Sequence, residues 1–306
     1  MAAFYTNMSG TTEIDDALKT LWAGAFRLGF AQNDVVTPFA QRIDIVGSAM
    51  NVIKYGSMAV DTSALAEYDE ATATALSDSK ITLTPAEYGQ VVSRTQLANL
   101  KTGGQLEMAA FQAVGQAAAR KLNKLGTAAL EAATNTFAVA NTAATLTANT
   151  DIVTLTTLNK VYNKLARANV PTVEGGLYVA FLHDDIIHDL RNATGAGSWM
   201  DTNKYTNVTP LTNEVGTFGG FRIIRNNDAT VTARTGAYGD AYESAFVGAE
   251  SLLMGVSQDV APIITGPFDN LGRFVNIGYY GVLDIKIGRP ESVWTVMATS
   301  TVAANA

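Results

Sequence analysis

The segment "HDDIIHD", residues 183–189, is the one cluster in the sequence whose side chains could bind a metal or transfer protons. Imidazole and carboxylate groups are both common metal ligands. On a helix, however, His183 and His188 lie about 140° apart around the axis, so they do not share a face. The sequence therefore favours a structural role, in which Asp184 or Asp185 caps a helix that turns its apolar residues inward. A metal site is the alternative interpretation.

No other group of residues indicates catalysis. Asp69 and Glu70 are adjacent carboxylates on a polar stretch, where nothing would make one carboxyl more basic than the other. Nucleophile-elbow, phosphate-loop, HExxH and GxGxxG patterns are all missing from the sequence. We therefore predict no catalytic residue, no metal and no cofactor. An enzyme whose active site lies in residues 183–189 is an alternative hypothesis, and it ranks below the two structural hypotheses given at the end of this section.

A small basic group, Arg120, Lys121 and Lys124, lies on the clearest helix of the chain. Two interpretations are open, namely an ordinary solvated helix face or a face turned toward phosphate. The helix itself is predicted over residues 105–133, with a length of about 40 Å. Its polar residues Gln112, Gln116, Arg120 and Asn123 are expected on the far side from an apolar stripe. That stripe comprises Leu106, Ala110, Val114, Ala118, Leu122, Leu125 and Ala129.

The remaining pattern mixes helices and strands, which indicates an α+β protein. A second helix is expected over residues 156–169, followed by a strand over 176–183 and a short helix after it. A hairpin should turn at Gly219-Gly220, and residues 242–256 read as a strand that runs into a short helical turn. The last 35 or so residues return to long strands rich in glycine and tyrosine.

Residues 48–93 have the pattern of a long two-stranded excursion. Its limbs are residues 48–60 and 79–95, and its tip, residues 61–78, is polar. Because a two-stranded hairpin is at best marginally stable alone in water, it must lie on the body of its own chain or on another subunit. Before it, Pro38 breaks any helix, and residues 39–47 read as an extended arm.

Composition favours a protein whose surface is covered by partners. Charged residues make up 16% of the chain against a usual value of about 25%. Interfaces are depleted of charge, although an alanine-rich neutral protein without a special interface is the alternative. The net charge of −7 argues against a dedicated DNA-binding domain. Without cysteine there are no disulfides. We expect no signal peptide, because acidic residues follow the N-terminus, and no membrane span.

The order of these parts resembles the major capsid proteins of tailed bacteriophages, which have the Hong Kong 97-type fold. The resemblance is strongest in "GLYVAFLHDDIIHDLRN", "NEVGTFGGFRIIRNND" and "FDNLGRFVNIGYYGVLDIKIGRPESVWTVMAT". It implies an N-terminal arm (1–47), an extended β-hairpin loop (48–93), a peripheral domain with a long spine helix and terminal strands (94–146 and 266–306), and an axial α+β domain (147–265).

The resemblance also implies which residues contact other molecules. In the extended loop, inter-subunit contacts fall on Lys54, Tyr55, Tyr68, Asp69 and Glu70. A loop at the local three-fold contact contains Asp269, Asn270 and Arg273. The basic group Arg120, Lys121 and Lys124 would face the interior and the DNA. Tyr279, Tyr280 and Trp294 suit a surface between subunits, and Gly278 and Gly281 would permit a bend or the close approach of another backbone.

The function that the resemblance implies is a structural one. The chain would assemble into hexamers and pentamers of an icosahedral shell in the host cytoplasm, enclose double-stranded DNA through weak non-specific contacts, and become part of the virion. A portal protein would occupy one vertex, with separate scaffolding and decoration proteins as further partners. The alternative is an encapsulin-type compartment that carries a cargo enzyme. The loop tip contains no lysine, which argues against the covalent cross-links of some family members.

Overall fold

A computed structural model describes residues 26, 34–56, 64, 73, 75–103, 105–139, 146–147, 150–173, 175–193, 214–233, 240–268 and 273–302. It contains two main sheets and one long helix. The helices are α1 (Gln96–Lys101), α2 (Gln105–Glu131), α3 (Leu155–Arg167) and α4 (Asp184–Asn192). The first strands are β1 (Ala40–Asp44), β2 (Met50–Tyr55), β3 (Asp78–Leu83), β4 (Ala86–Thr95), β5 (Thr136–Ala138) and β6 (Tyr178–Leu182). The others are β7 (Glu214–Phe218), β8 (Phe221–Arg225), β9 (Val231–Thr232), β10 (Ala241–Val247), β11 (Leu252–Phe268), β12 (Phe274–Ile287) and β13 (Val293–Ala298).

The first sheet has four strands in the order β1-β11-β12-β4. Strand β12 lies between two neighbours, which accounts for the glycines in its sequence. A Cβ on Gly278 would lie 2.6 Å from the carbonyl oxygen of Gln90 in β4. A Cβ on Gly281 would lie 3.0 Å from the backbone Cα of Val260 in β11. The backbone that approaches these glycines therefore belongs to the same chain. Tyr279 is buried against α2, so its predicted place on a subunit surface is wrong.

The two-stranded hairpin is shorter than the sequence indicates. Strand β2 pairs with β3 from Met50–Leu83 to Tyr55–Asp78. After Pro85 the chain enters β4, which pairs with β12 over ten residues instead of continuing the hairpin. A proline removes a backbone donor, and strand pairing can change partner at such a position. The hairpin therefore joins the body at Leu83, which is fully buried with Ile45 and Leu253.

The second sheet has the strand order β5-β13-β10-β6-β8-β7, and β9 pairs with β10. Its largest core cluster includes Leu158, Val161 and Leu165 of α3, and Ile186 and Leu190 of α4. The predicted hairpin at Gly219-Gly220 is confirmed, and both glycines have positive φ, at 59° and 84°.

The C-terminal part of the chain differs from the sequence expectation in its details. The terminal strands β12 and β13 both contact the long helix as expected, but β13 pairs with β5 and β10 in the second sheet. Residues 252–268 form β11 of the first sheet, so the expected helical turn there is wrong; a two-residue turn precedes this strand. Trp294 packs against the core of the second sheet, with the ammonium nitrogen of Lys164 4.0 Å from its ring centre.

Helix α2 connects the two sheets and confirms the predicted long helix. Its buried positions recur as neighbouring pairs every four residues, from Ala110 and Phe111 to Gly126 and Thr127, and Leu130 follows. Four residues exceed one turn of 3.6, so the buried stripe rotates by about 40° at each step. The start of α2 therefore packs on β12 and its end on β10 and β13. Leu106 and Leu125 are only partly buried.

Two glycines on α2 let the N-terminal segment approach closely. A Cβ on Gly115 would clash with the carbonyl oxygen of Phe26. A Cβ on Gly126 would lie 2.8 Å from Cγ1 of Val36. The predicted arm is therefore packed along α2 at these two positions, and its extended part is β1. Among the described residues, no helix is long and apolar enough to cross a membrane.

Candidate assembly surfaces

The hairpin presents one face to its own chain and the other face outward. Val52, Ile81 and Leu83 point to the body and join a small apolar cluster. The opposite face carries three cross-strand pairs, Asn51–Thr82, Ile53–Lys80 and Tyr55–Asp78. On it, Ile53 is 55% exposed and Tyr55 is 69% exposed. Exposed apolar side chains beside charges are typical of a contact surface.

Lys54 lies on the other face of the hairpin from Tyr55, beside a charged cleft of about 500 Å³. The cleft is also lined by Glu250, Arg289 and Glu291 of the same chain. Burial lowers the pKa of Lys54, while Glu250 raises it by a smaller amount. The structure therefore sets Lys54 and Tyr55 on opposite sides of the hairpin. The other three predicted loop contacts, Tyr68, Asp69 and Glu70, lie outside the described residues.

The predicted three-fold loop follows β11. Asp269 and Asn270 lie outside the described residues, but Arg273 is exposed next to the start of β12. Its carbonyl oxygen accepts a hydrogen bond of 2.8 Å from the backbone N–H of Gln96 in α1. Its guanidinium lies 5.6 Å from the ring centre of Phe274, which is 40% exposed. Arg273 is thus held at the outer end of the first sheet.

The three residues of the basic group on α2 have different contacts. The guanidinium of Arg120 lies 3.4 Å from the Asp228 carboxylate. The ammonium group of Lys121 lies 5.0 Å from the ring centre of Tyr88. Lys124 is exposed. Two of the three cations therefore have contacts within the chain, and the role of the group toward DNA stays a prediction.

A buried polar seam on α2 was missed by the sequence analysis, which put Asn123 on the exposed side. The Asn123 side chain is 2% exposed. Its amide nitrogen donates to Asn226 Oδ1 and Asp228 Oδ2, both at 2.9 Å, and its Oδ1 accepts from the backbone N–H of Val35 at 3.3 Å. Asn226 in turn donates to the hydroxyl of Thr127 at 2.9 Å. The seam joins α2 to the segment after β8 and to the N-terminal segment.

Side chains of the segment 183–189 make hydrogen bonds within the chain, and the helix cap differs from the prediction. The cap of α4 is His183, whose Nδ1 accepts a hydrogen bond from the Asp185 backbone N–H at 3.2 Å. The carboxylate of Asp185 accepts from the Tyr242 hydroxyl at 2.7 Å. Asp189 is buried and accepts hydrogen bonds from the backbone N–H and the hydroxyl of Thr301. Among the described residues, no cluster of three or more such side chains could hold a metal.

These two sheets, the long helix between them and the projecting hairpin define a class, the Hong Kong 97-type capsid fold. The sequence profile of a family of phage capsid proteins matches residues 78–296. The chain belongs to this family, so the predicted fold and the predicted phage capsid protein are confirmed.

Solved capsid structures share the fold at low sequence identity. The capsid of Ralstonia phage GP4 is 14% identical with a TM-score of 0.68, over 89% of this chain and 90% of the other. The capsid of cyanophage Pam1 is 13% identical, also with a TM-score of 0.68, over 89% and 92%. A virus-like particle from Pyrococcus furiosus is 11% identical with a TM-score of 0.56, over 90% and 98%. A search of curated protein sequences found no match.

Proposed function

We propose that this chain is the major capsid protein of a tailed phage, and that it forms the hexamers and pentamers of an icosahedral shell around double-stranded DNA. The observation that carries the proposal is the family match over residues 78–296, supported by the shared fold along most of the chain. The role is structural rather than catalytic. The shell would assemble in the host cytoplasm, with a portal protein at one vertex and separate scaffolding and decoration proteins.

The proposed mechanism is mechanical, because many weak contacts between copies add up over a closed shell. Residues 1–47 act as the arm and the hairpin as a clamp on an adjacent subunit. Helix α2 and the first sheet form a peripheral part, and the second sheet forms an axial part. The segment 269–273 is the contact loop at the local three-fold axis.

Electron microscopy of the purified, concentrated protein tests this function. We expect closed shells or rings with five-fold and six-fold symmetry. A protein that stays monomeric at every concentration and salt condition would contradict the proposal. Shells that enclose an enzyme and no DNA after expression with the neighbouring genes would favour the encapsulin-type compartment instead. The phage capsid family match favours the first outcome.

The absence of lysine between residues 61 and 78 leads to a prediction about covalent links. We expect purified shells to dissolve completely into monomers of about 32.3 kDa in hot detergent. A cross-link would need an amine, and of the two limb lysines Lys54 lines a cleft of its own chain. A denaturing gel makes the measurement. A ladder of multimers that disappears in Lys80→Arg or Lys54→Arg would show that one of these lysines reaches a partner.

The interior contact with DNA is expected to be weak and independent of sequence, because it involves only phosphates. Of the basic group, Lys124 should contribute most, since Asp228 neutralises part of the charge on Arg120. Lys124→Gln should lower the slope of log affinity against log salt by about one unit. DNA binding by dissociated subunits at several salt concentrations measures this slope. The exposed Lys160→Gln is the matched control. An equal change in both variants would mean that α2 does not face the DNA.

A further inference from the structure

We propose that a pocket between the N-terminal segment, α2 and β11 receives the outward Ile53–Lys80 pair of the hairpin from a second copy of the chain. The proposal rests on the proposed function, because it names the receiving site for the hairpin clamp.

The pocket has an apolar floor and an acidic rim. Its volume is about 310 Å³. The floor is lined by Leu122, Met254, Val256, Val260 and Leu283, and the rim by Asp34, Thr37, Arg42 and Asp259. A site of this kind fits a side chain with an aliphatic stem and a polar or charged end.

The charge on the rim is negative. The Arg42 guanidinium donates two hydrogen bonds to Asp259, at 2.7 and 3.0 Å, and one to Asp44 at 3.1 Å. Asp34 accepts hydrogen bonds from the backbone N–H and the hydroxyl of Thr37, which bring no positive charge. Two carboxylates, Asp34 and Asp259, and one guanidinium line the pocket, which leaves one net negative charge beside an apolar floor. Burial raises the pKa of the Asp34 carboxyl, as expected for an acid whose charge is poorly compensated.

An irregularity in β11 shapes one wall of the pocket. The pairing of β11 with β12 shifts register between Val256 and Gln258 and again between Gln258 and Ala261. The bulged Val260 packs over Gly281, where a Cβ would lie 2.7 Å from its Cγ2. Bulges redirect side chains and are common next to functional sites. Here the bulge brings Asp259 to Arg42 and Val260 to the floor.

The hairpin carries the complementary group. Ile53 and Lys80 are opposite each other on β2 and β3, and both are exposed. Residues directly opposite on one face of an antiparallel pair lie side by side, so this pair offers an apolar side chain next to an ammonium group. The other face of the hairpin packs on its own body, which leaves this face for a second copy. The apolar floor and acidic rim match the isoleucine and the lysine respectively.

Because the chain contains no cysteine, introduced thiols give a clean test. Subunits with Lys80→Cys and subunits with Asp259→Cys are mixed, assembled and treated with a short bismaleimide. We expect a band at twice the monomer mass on a denaturing gel from assembled particles. A mixture of Lys160→Cys and Asp259→Cys subunits is the control for chance contact. Particles that form without a cross-link above this control would overturn the proposal.

A second measurement is the subunit concentration that assembly requires. We expect Lys80→Ala to raise this concentration about tenfold. The controls Lys80→Arg, which keeps the charge, and Lys160→Ala, at an exposed position elsewhere, should leave the concentration nearly unchanged. An unchanged value for Lys80→Ala would also contradict the proposal. Failure of the proposed function looks different, because the unaltered chain would then form no particles at all, and the proposal would fall with it.

Discussion

Replacing Asn123 by leucine is expected to lower the free energy of unfolding by about 2–4 kcal/mol. Leucine has nearly the same size but offers neither a donor nor an acceptor. The backbone N–H of Val35, which is buried, would lose its acceptor, and the Asp228 carboxylate would lose a donor. Each buried polar group that is left unpaired costs about 1–3 kcal/mol. Urea denaturation of dissociated subunits measures the effect without the contribution of assembly.

Two further variants separate hydrogen bonding from packing. Gln112→Leu makes the same kind of change on an exposed position of α2 and should alter stability by less than about 0.5 kcal/mol. Asn123→Asp keeps the shape but puts a second carboxylate beside Asp228, so it should destabilise as well. If Asn123→Leu were as stable as the unaltered chain, the polar seam would not hold α2 to its neighbours.

The error at Asn123 shows what a helical pattern can and cannot reveal. The spacing of apolar residues was enough to predict α2, because the 3.6-residue period is local. The same reasoning assigns every asparagine to the outside. The partners of Asn123 are distant in sequence, at Asn226 and Asp228, and no local pattern announces them. Small and apolar residues do recur every four positions in the sequence, at Ala110, Val114 and Ala118, and this spacing is consistent with a stripe that rotates along the helix.

Strand pairing shows the same limit. The hairpin at Gly219-Gly220 was predictable since its turn chemistry is local. The pairing of β4 with β12 runs from Phe274–Thr95 to Leu283–Ala86, so the paired residues are distant in sequence. Gly278 and Gly281 suggested a close backbone approach correctly, but their spacing could not tell whether that backbone belongs to the same chain. Contacts between copies are still harder to predict, because low charge indicates an interface without giving its position.

Deleting residues 64–76 from the hairpin tip is expected to abolish closed shells and to leave a folded, soluble subunit. The subunit should fold because the described residues of this stretch contribute nothing to the four core clusters, and Leu76 is 54% exposed. The pairing of β2 with β3 lies outside the deletion. Circular dichroism and urea denaturation check the fold, and we expect a change in stability below about 0.5 kcal/mol.

The loss of shells follows from the way weak contacts add up. If the tip contributes only about 1.4 kcal/mol to each contact with a neighbour, its removal weakens every such contact about tenfold. A closed shell repeats that loss at each subunit. The subunit concentration that assembly requires therefore rises above the concentrations that can be prepared. A variant with residues 64–76 replaced by glycine and serine keeps the length but not the side chains. Electron microscopy and sedimentation should show no closed shells for either variant. Normal shells from the deletion variant would mean that the hairpin is not a clamp, and shells from the glycine–serine variant alone would mean that its reach matters and its tip side chains do not.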